Sequence, residues 1–227
     1  MSKVKGKEHS DHTSGDWGTP RDLSGRRPKG SRSRRPLVLI IVEGTRTEKL
    51  YFESLAREER ASAVHVDVVH SKRDTAPENL VQQADKAWKS RIDSDKWEDD
   101  GQVWCVCDTE QPEPDILLRR ALTTARKLDI NMAVSNPAFE YWYLLHFRDS
   151  TSPCSNGQEM KNKLRRIINN YHEAMDVYPI LRLRTDDALA RASDLRRRSE
   201  GAWDNFSNPS TKVDELVRVI INKKVQE

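Results

Sequence analysis

The chain has 227 residues, enough for one domain of ordinary size, with 33% charged residues, 36% hydrophobic residues and a mean hydropathy of −0.83. Its net charge of +3 is uneven: residues 1–36 hold ten Lys or Arg against four Asp or Glu, so a +6 segment is followed by 191 residues that sum to −3, which excludes a uniformly basic nucleic-acid coat. The longest apolar run, Leu37 to Val42, is far short of the roughly 20 residues that span a bilayer, the N-terminus lacks the apolar stretch of a secretory signal, and Cys105, Cys107 and Cys154 form neither a disulfide framework nor a zinc ligand pattern; the expectation is a soluble, cytoplasmic protein with no membrane partner.

Residues 1–35 are rich in Ser, Gly, Lys and Arg and poor in aliphatics, so they cannot bury enough surface to offset the entropy of ordering. They are expected to be a disordered basic tail, serving either as a solubilising segment or as an arm that contacts nucleic acid. A folded domain is expected over 36–227. Leu37-Val38-Leu39-Ile40-Ile41-Val42 reads as a strand buried on both faces of a parallel sheet. Thr45 and Glu48 have capping-box spacing, which predicts a helix carrying Leu50, Tyr51, Leu55 and Ala56. A second strand is expected over 64–69, a helix from Pro77, a third strand over 103–107 ending at Asp108, a helix over 115–128 and a short strand over 132–134. Asn136-Pro137 supplies an N-cap and a first-turn proline for a helix through His146. The remainder reads as helical: Lys161 to Tyr171, Thr185 to Arg198, and Pro209 to Lys224 with an apolar stripe of Val213, Leu216, Val217, Ile220 and Ile221. The expected class is therefore α/β, a parallel sheet of about four strands flanked by helices, with a helical C-terminal elaboration.

Two acids occupy the same kind of place. Glu43 follows the first strand, and Asp108, with Glu110 beyond it, follows the third; ligands of open parallel sheets bind at those carboxyl ends. Clustered carboxylates repel one another unless a cation lies among them, and a few hard oxygen ligands suit Mg²⁺ or Mn²⁺. Either acid could instead simply open a helix, where a carboxylate favours the dipole.

Four segments carry a resemblance. Val42-Glu43-Gly44-Thr45-Arg46-Thr47-Glu48-Lys49-Leu50-Tyr51-Phe52, Val103-Trp104-Cys105-Val106-Cys107-Asp108, Ser135-Asn136-Pro137-Ala138-Phe139-Glu140-Tyr141-Trp142-Tyr143-Leu144-Leu145-His146-Phe147, and Asn208-Pro209-Ser210-Thr211-Lys212-Val213-Asp214-Glu215-Leu216-Val217 resemble the motifs of the RloB-like family, over roughly residues 36–221. The resemblance implies a Toprim-like fold, in which a Glu after the first strand and an Asp-x-Asp after the third serve metal chemistry. Carried over, these are Glu43, Asp108 and Glu110; the last departs from the pattern, being Glu, and is followed by Gln111 and Pro112. It further implies a place in prokaryotic antiviral defence, in abortive-infection or restriction-linked loci that also encode an ATPase partner.

The expected function is a Mg²⁺- or Mn²⁺-dependent nuclease acting on RNA, tRNA among the candidates, or on DNA. Glu43, Asp108 and Glu140 would be catalytic, with Glu43, Asp108 and Glu110 holding the metal. Arg46, Lys49, Lys161 and Arg165 would meet the phosphates, and Glu48 and His146 would support. Glu48 could equally be a capping residue, and His146 a satisfied core histidine. Lys161, Lys163, Arg165 and Arg166, with Arg196-Arg197-Arg198, could form a phosphate-backbone track, and Tyr141-Trp142-Tyr143 could stack bases or pack the helix on the sheet. The alternative is a regulatory or nucleic-acid-binding subunit of a defence complex that does not cut. The oligomeric state, a homo-oligomer included, is open.

Overall fold

The structure is a computed structural model, and it describes residues 35–59, 64–71, 76–92, 97–109, 116–198 and 207–221. Residues 1–34 of the expected basic tail and Glu110 lie outside the described residues. The chain forms β1 (Pro36–Val42), α1 (Thr47–Glu58), β2 (His65–His70), α2 (Pro77–Ile92), β3 (Glu98–Asp108), α3 (Ile116–Lys127) and β4 (Asn131–Asn136). There follow α4 (Glu140–Leu145), α5 (Gly157–Arg165), α6 (Tyr178–Leu181), a 3₁₀ turn at Arg182–Arg184, α7 (Thr185–Arg198), β5 (Ser210–Thr211) and α8 (Val213–Ile221). The sheet order is β2-β1-β3-β4-β5, the first four strands parallel and β5 antiparallel to β4. This is the α/β arrangement expected, and it is consistent with a Toprim-like sheet.

Strand periodicity divides the core in two. Leu37, Leu39 and Ile41 pack with α2 and α3 through Leu80, Val81, Ala84, Leu118, Ala121 and Ala125. Val38, Ile40 and Val42 face the other way, onto α1, α4, α7 and α8. Successive side chains on a strand point to opposite faces, so a continuous apolar run is what a two-sided burial requires. Cys105 and Cys107 are buried on the α2–α3 side, and burial pushes the Cys105 thiol up to about 12. They behave as small hydrophobes.

The departures from expectation have local causes. Asn136 does not cap a helix. It pairs with Ser210 in the sheet, the Asn136–Pro137 bond is cis, and α4 begins only at Glu140 after Phe139, with no side-chain cap. A residue before proline is disfavoured in the helical region, so the strand continues to Asn136 instead. Pro209 likewise does not open the last helix. Ser210 and Thr211 add a strand, with Ser135 Oγ and Thr211 Oγ1 3.0 Å apart, and Thr211 Oγ1 accepts from Val213 N (3.2 Å) at the start of α8. Helix α5 starts at Gly157, earlier than expected, because Asn156 caps it by accepting from Glu159 N (3.0 Å) while Ser155 N donates to Glu159 Oε2 (2.8 Å). It ends at Arg165 rather than Tyr171, which frees the following residues to fold back over the sheet's carboxyl end.

A buried ion cluster ties α7 to α8. Asp214 is fully buried and accepts from both guanidinium nitrogens of Arg196, one at 3.0 Å, with Arg218 Nε at 3.9 Å. Arg218 also donates to Leu189 O and Ser193 Oγ, each at 2.9 Å. Removing one member of a buried pair strands the other's charge, at a cost of about 3–5 kcal/mol. Asp214→Ala is therefore expected to lower the thermal midpoint by roughly 10 °C. A scanning calorimetry trace shifted by less than a degree would remove this cluster from the account of stability. Of the arginine run, Arg196 is held by Asp214, while Arg197 and Arg198 are exposed and pair at the surface with Asp194 and Asp149 (2.7 Å).

Candidate functional site

The parallel sheet brings the two predicted strand ends together. β1 and β3 are hydrogen-bonded neighbours with Val42 opposite Val106, and Glu43 N continues the ladder by donating to Val106 O (3.2 Å). Asp108 stands opposite Ser135 on the other side of β3, and Thr109 N donates to Ser135 O (2.9 Å). Both acids therefore leave the sheet at the same edge. They open into a cleft of about 480 Å³ lined also by Gly44, Thr45, Arg46, Thr47, Glu48, Phe139, Glu140, Lys161 and Glu173.

Each wall is fixed by a separate piece of chain. The loop from β1 to α1 supplies Glu48. Its expected partnership with Thr45 is not made: the helix begins at Thr47 after Arg46, without a side-chain cap. Instead the Glu48 carboxylate folds back over Gly44, close enough that a Cβ placed there would collide with Glu48 Oε2 and lie 3.0 Å from Cδ. Gly44 thus makes room for the carboxylate. Gly44→Ala is expected to leave the fold intact, because only the far end of a flexible side chain must move, while displacing Glu48 from the cleft. A melting curve close to that of the parent, together with weakened cation binding, is the expected pair of results.

The second wall is α4 and its approach. Glu140 is only 2% exposed, and Tyr171 donates to its Oε1 at 2.8 Å. Helix α4 is held by an aromatic cluster in which the Tyr51 ring meets Phe52, Phe139, Tyr143 and Tyr178 at centroid distances of 5.2–5.7 Å. Tyr143 OH also donates to Thr47 O (3.2 Å), linking α4 to the start of α1. Tyr141, Trp142 and Tyr143 are all buried, so they pack the helix and are not a stacking surface for bases. The third wall is α5 and the chain beyond it, where Lys161 Nζ donates to Glu173 Oε1 at 2.5 Å.

Five carboxylates against Arg46 and Lys161 have predictable electrostatics. Burial pushes Glu48 up to about 7, with further upward pressure from Glu140 and Glu43. Asp108 is pushed well above the carboxylate range, again by burial first, then by Glu48, Glu140 and Glu43, against a lowering hydrogen bond from the Phe139 backbone. Burial also raises Glu140, offset by the Tyr171 hydrogen bond and by Lys161. One oxygen remains without a partner: Asp108 Oδ1 is buried and accepts no hydrogen bond. A buried acceptor left unpaired costs about 1–3 kcal/mol, so it marks a place where another group is accommodated. Among the described residues, no group of three or more His, Cys, Asp or Glu forms a ready-made metal cage. Magnesium does not require one, since it is commonly held by one or two carboxylates with water and substrate oxygens completing the octahedron. The donor set in the cleft, all hard oxygens with one of them unpaired, fits such an ion.

The RloB-like protein family model matches residues 38–220. The chain belongs to the RloB-like family. No curated protein and no solved structure matches it. Among the described residues no helix is long and apolar enough to cross a membrane.

Of the residues singled out in this RloB-like chain, Glu43, Asp108, Glu140, Glu48, Arg46 and Lys161 share the cleft. The rest are placed elsewhere. Lys49 pairs with Glu53 (3.7 Å), one turn on in α1. Arg165 is engaged by Asn162 Oδ1 (2.8 Å) and Tyr171 O (3.4 Å). His146 is fully buried behind the cleft, its Nδ1 at 2.9 Å from Trp142 O and its ring against the Trp142 ring; burial lowers it to about 4, so it is a neutral core residue. Lys163 is spent on Cys154 (2.9 Å) and Glu159 (3.4 Å). Tyr171 and Glu173 are the members of the site that sequence patterns miss, because they approach it only through the turn that follows α5.

Proposed function

We propose that this RloB-like protein is a Mg²⁺- or Mn²⁺-dependent nuclease that hydrolyses phosphodiester bonds of RNA, tRNA among them, or of DNA, in antiviral defence alongside an ATPase encoded in the same locus. The observation that carries the reading is the buried, unpartnered Asp108 Oδ1 in a cleft shared with Glu43, Glu48 and Glu140. Asp108 and Glu43 would hold the cation, with Glu48 beside them. When bound, it supplies Lewis acidity toward the scissile phosphate and a water of lowered pKa.

The protein's own groups do the rest. Glu140 is pinned through Oε1 by Tyr171, which leaves its other oxygen to accept the proton of the attacking water; burial raises its proton affinity, in the direction that role needs. Lys161 offsets negative charge on the phosphate, and Arg46, exposed on the rim, meets the adjoining backbone. The buried aromatic cluster keeps the Glu140 wall from shifting.

The test uses purified protein, alone and with the neighbouring ATPase, on labelled tRNA, single-stranded RNA and duplex DNA. Cleavage is expected with Mg²⁺ or Mn²⁺ and not with a chelator. Glu43→Ala and Asp108→Ala are each expected to slow it by roughly a hundredfold or more, the scale on which one electrostatic stabiliser acts. Undiminished cutting by both variants would sink the proposed site. Binding without cutting under every condition would favour the regulatory subunit instead.

A further inference from the structure

The carboxylates of the cleft are unlike in their partners. Asp108 Oδ1 is buried and unpaired. The carboxylate of Glu140 already receives the Tyr171 hydroxyl, and Lys161 lines the same cleft from α5 with its ammonium on Glu173. Lys161 is not a surface lysine that happens to lie near: its side chain is 25% exposed, against 49% for Glu173. Against the cost of burial, its hydrogen bond to Glu173 and the charges of Glu140, Glu173 and Asp108 keep it protonated.

We propose that the cleft takes a single divalent cation, held through Asp108, and that the Lys161 ammonium stands in the place of a second one. Two-metal sites set their ions about 3.5–4 Å apart and depend on carboxylates to screen the repulsion between them. Here one oxygen of Glu140 is already taken by the Tyr171 hydroxyl, and the charge of Lys161 bears on the same carboxylate. A lysine fixed in the protein also needs no recruitment from solution, and it can face a phosphate oxygen without geometric demands on ligands. Glu173 holds the lysine in position until a phosphate competes for it.

This rests on the metal-dependent reading above, and its test separates the two. The full-length protein is titrated with Mn²⁺ at pH 8, and the free ion is followed by electron paramagnetic resonance. One Mn²⁺ per chain is expected in the parent and in Lys161→Arg, which keeps the charge. In Lys161→Met a second Mn²⁺ is expected, with an affinity within about tenfold of the first, or some 1.4 kcal/mol. Glu173, half-exposed, stays hydrated when the lysine is removed, so the variant is expected to fold; circular dichroism checks it. Two ions in the parent, or one still in a folded Lys161→Met, would overturn the single-cation proposal alone. No Mn²⁺ bound by the parent would overturn this proposal and the metal-dependent function together.

Discussion

Asp108→Asn is expected to make the metal-free protein more stable at pH 8 while abolishing the proposed cleavage of nucleic acid. The two effects have one cause. Burial and three neighbouring carboxylates make the charged form of Asp108 costly, so a neutral side chain of the same shape relieves the folded state. The amide can still accept the Phe139 backbone hydrogen bond, and its N–H₂ lies among carboxylates that no longer face the Asp108 charge. Relief of a buried acceptor left unpaired, about 1–3 kcal/mol, sets the scale, so the thermal midpoint is expected to rise by several degrees. The same change removes the negative oxygen that a cation needs, and activity should fall by a hundredfold or more, on the order of 3 kcal/mol in the barrier. Differential scanning fluorimetry in chelator, beside a cleavage assay, reads both. A variant that loses activity and stability together would indicate that Asp108 is structural.

The second expectation concerns pH. Glu48 has its proton affinity raised from 4.5 to about 7 in the folded chain. Because the folded state binds this proton more tightly than the unfolded one, the associated stability is fully present below about pH 4.5 and is lost as the pH rises through about 7. The interval corresponds to about 3 kcal/mol at 1.36 kcal/mol per unit, so metal-free protein should melt roughly 6–12 °C lower at pH 8.5 than at pH 5. Asp108 and Glu140 shift in the same direction and add to the slope. His146 acts oppositely: lowered to about 4, it contributes stability above about 6.5 that is lost on acidification. Measurements between pH 6.5 and 8.5 therefore isolate the carboxylates. Millimolar Mg²⁺ should flatten the slope, since a cation in the cleft takes over from the protons; at a hundred times its dissociation constant it adds about 2.7 kcal/mol. A midpoint independent of both pH and Mg²⁺ across that range would contradict the electrostatic picture of the cleft.

What could be read from the residues alone follows physical lines. The run Leu37 to Val42 is apolar without alternation, and only a strand covered on both faces accommodates that, so β1 and the position of Glu43 at its end were legible. The same holds for β3 and Asp108. Their convergence needed one further fact, that β1 and β3 are neighbours, which no local pattern contains. Asn136-Pro137 carries the residue types of a helix start, yet pairing with Ser210 keeps it in the sheet; a contact 74 residues away in the chain overrides the local signal. Thr45 and Glu48 have the spacing of a capping box, but the glutamate turns toward the cleft, so spacing reported the right residue with the wrong partner. Asn156 and Glu159 have that same spacing, and Asn156 does cap its helix through Glu159 N while Glu159 reaches back to Ser155 N, a signal that was available in the sequence. Tyr171 and Glu173 left no signature, since their role arises only once α5 brings Lys161 against them.

The most direct test of the central claim is the position of a bound cation. Crystals of the protein soaked in Mn²⁺ would be measured for anomalous scattering at the manganese edge. The expected result is a peak in the cleft within coordination distance of Asp108 Oδ1 and a Glu43 carboxylate oxygen, absent from crystals of Asp108→Asn. Saturating Mn²⁺ with no peak in the cleft, or a peak unaltered by that substitution, would contradict it.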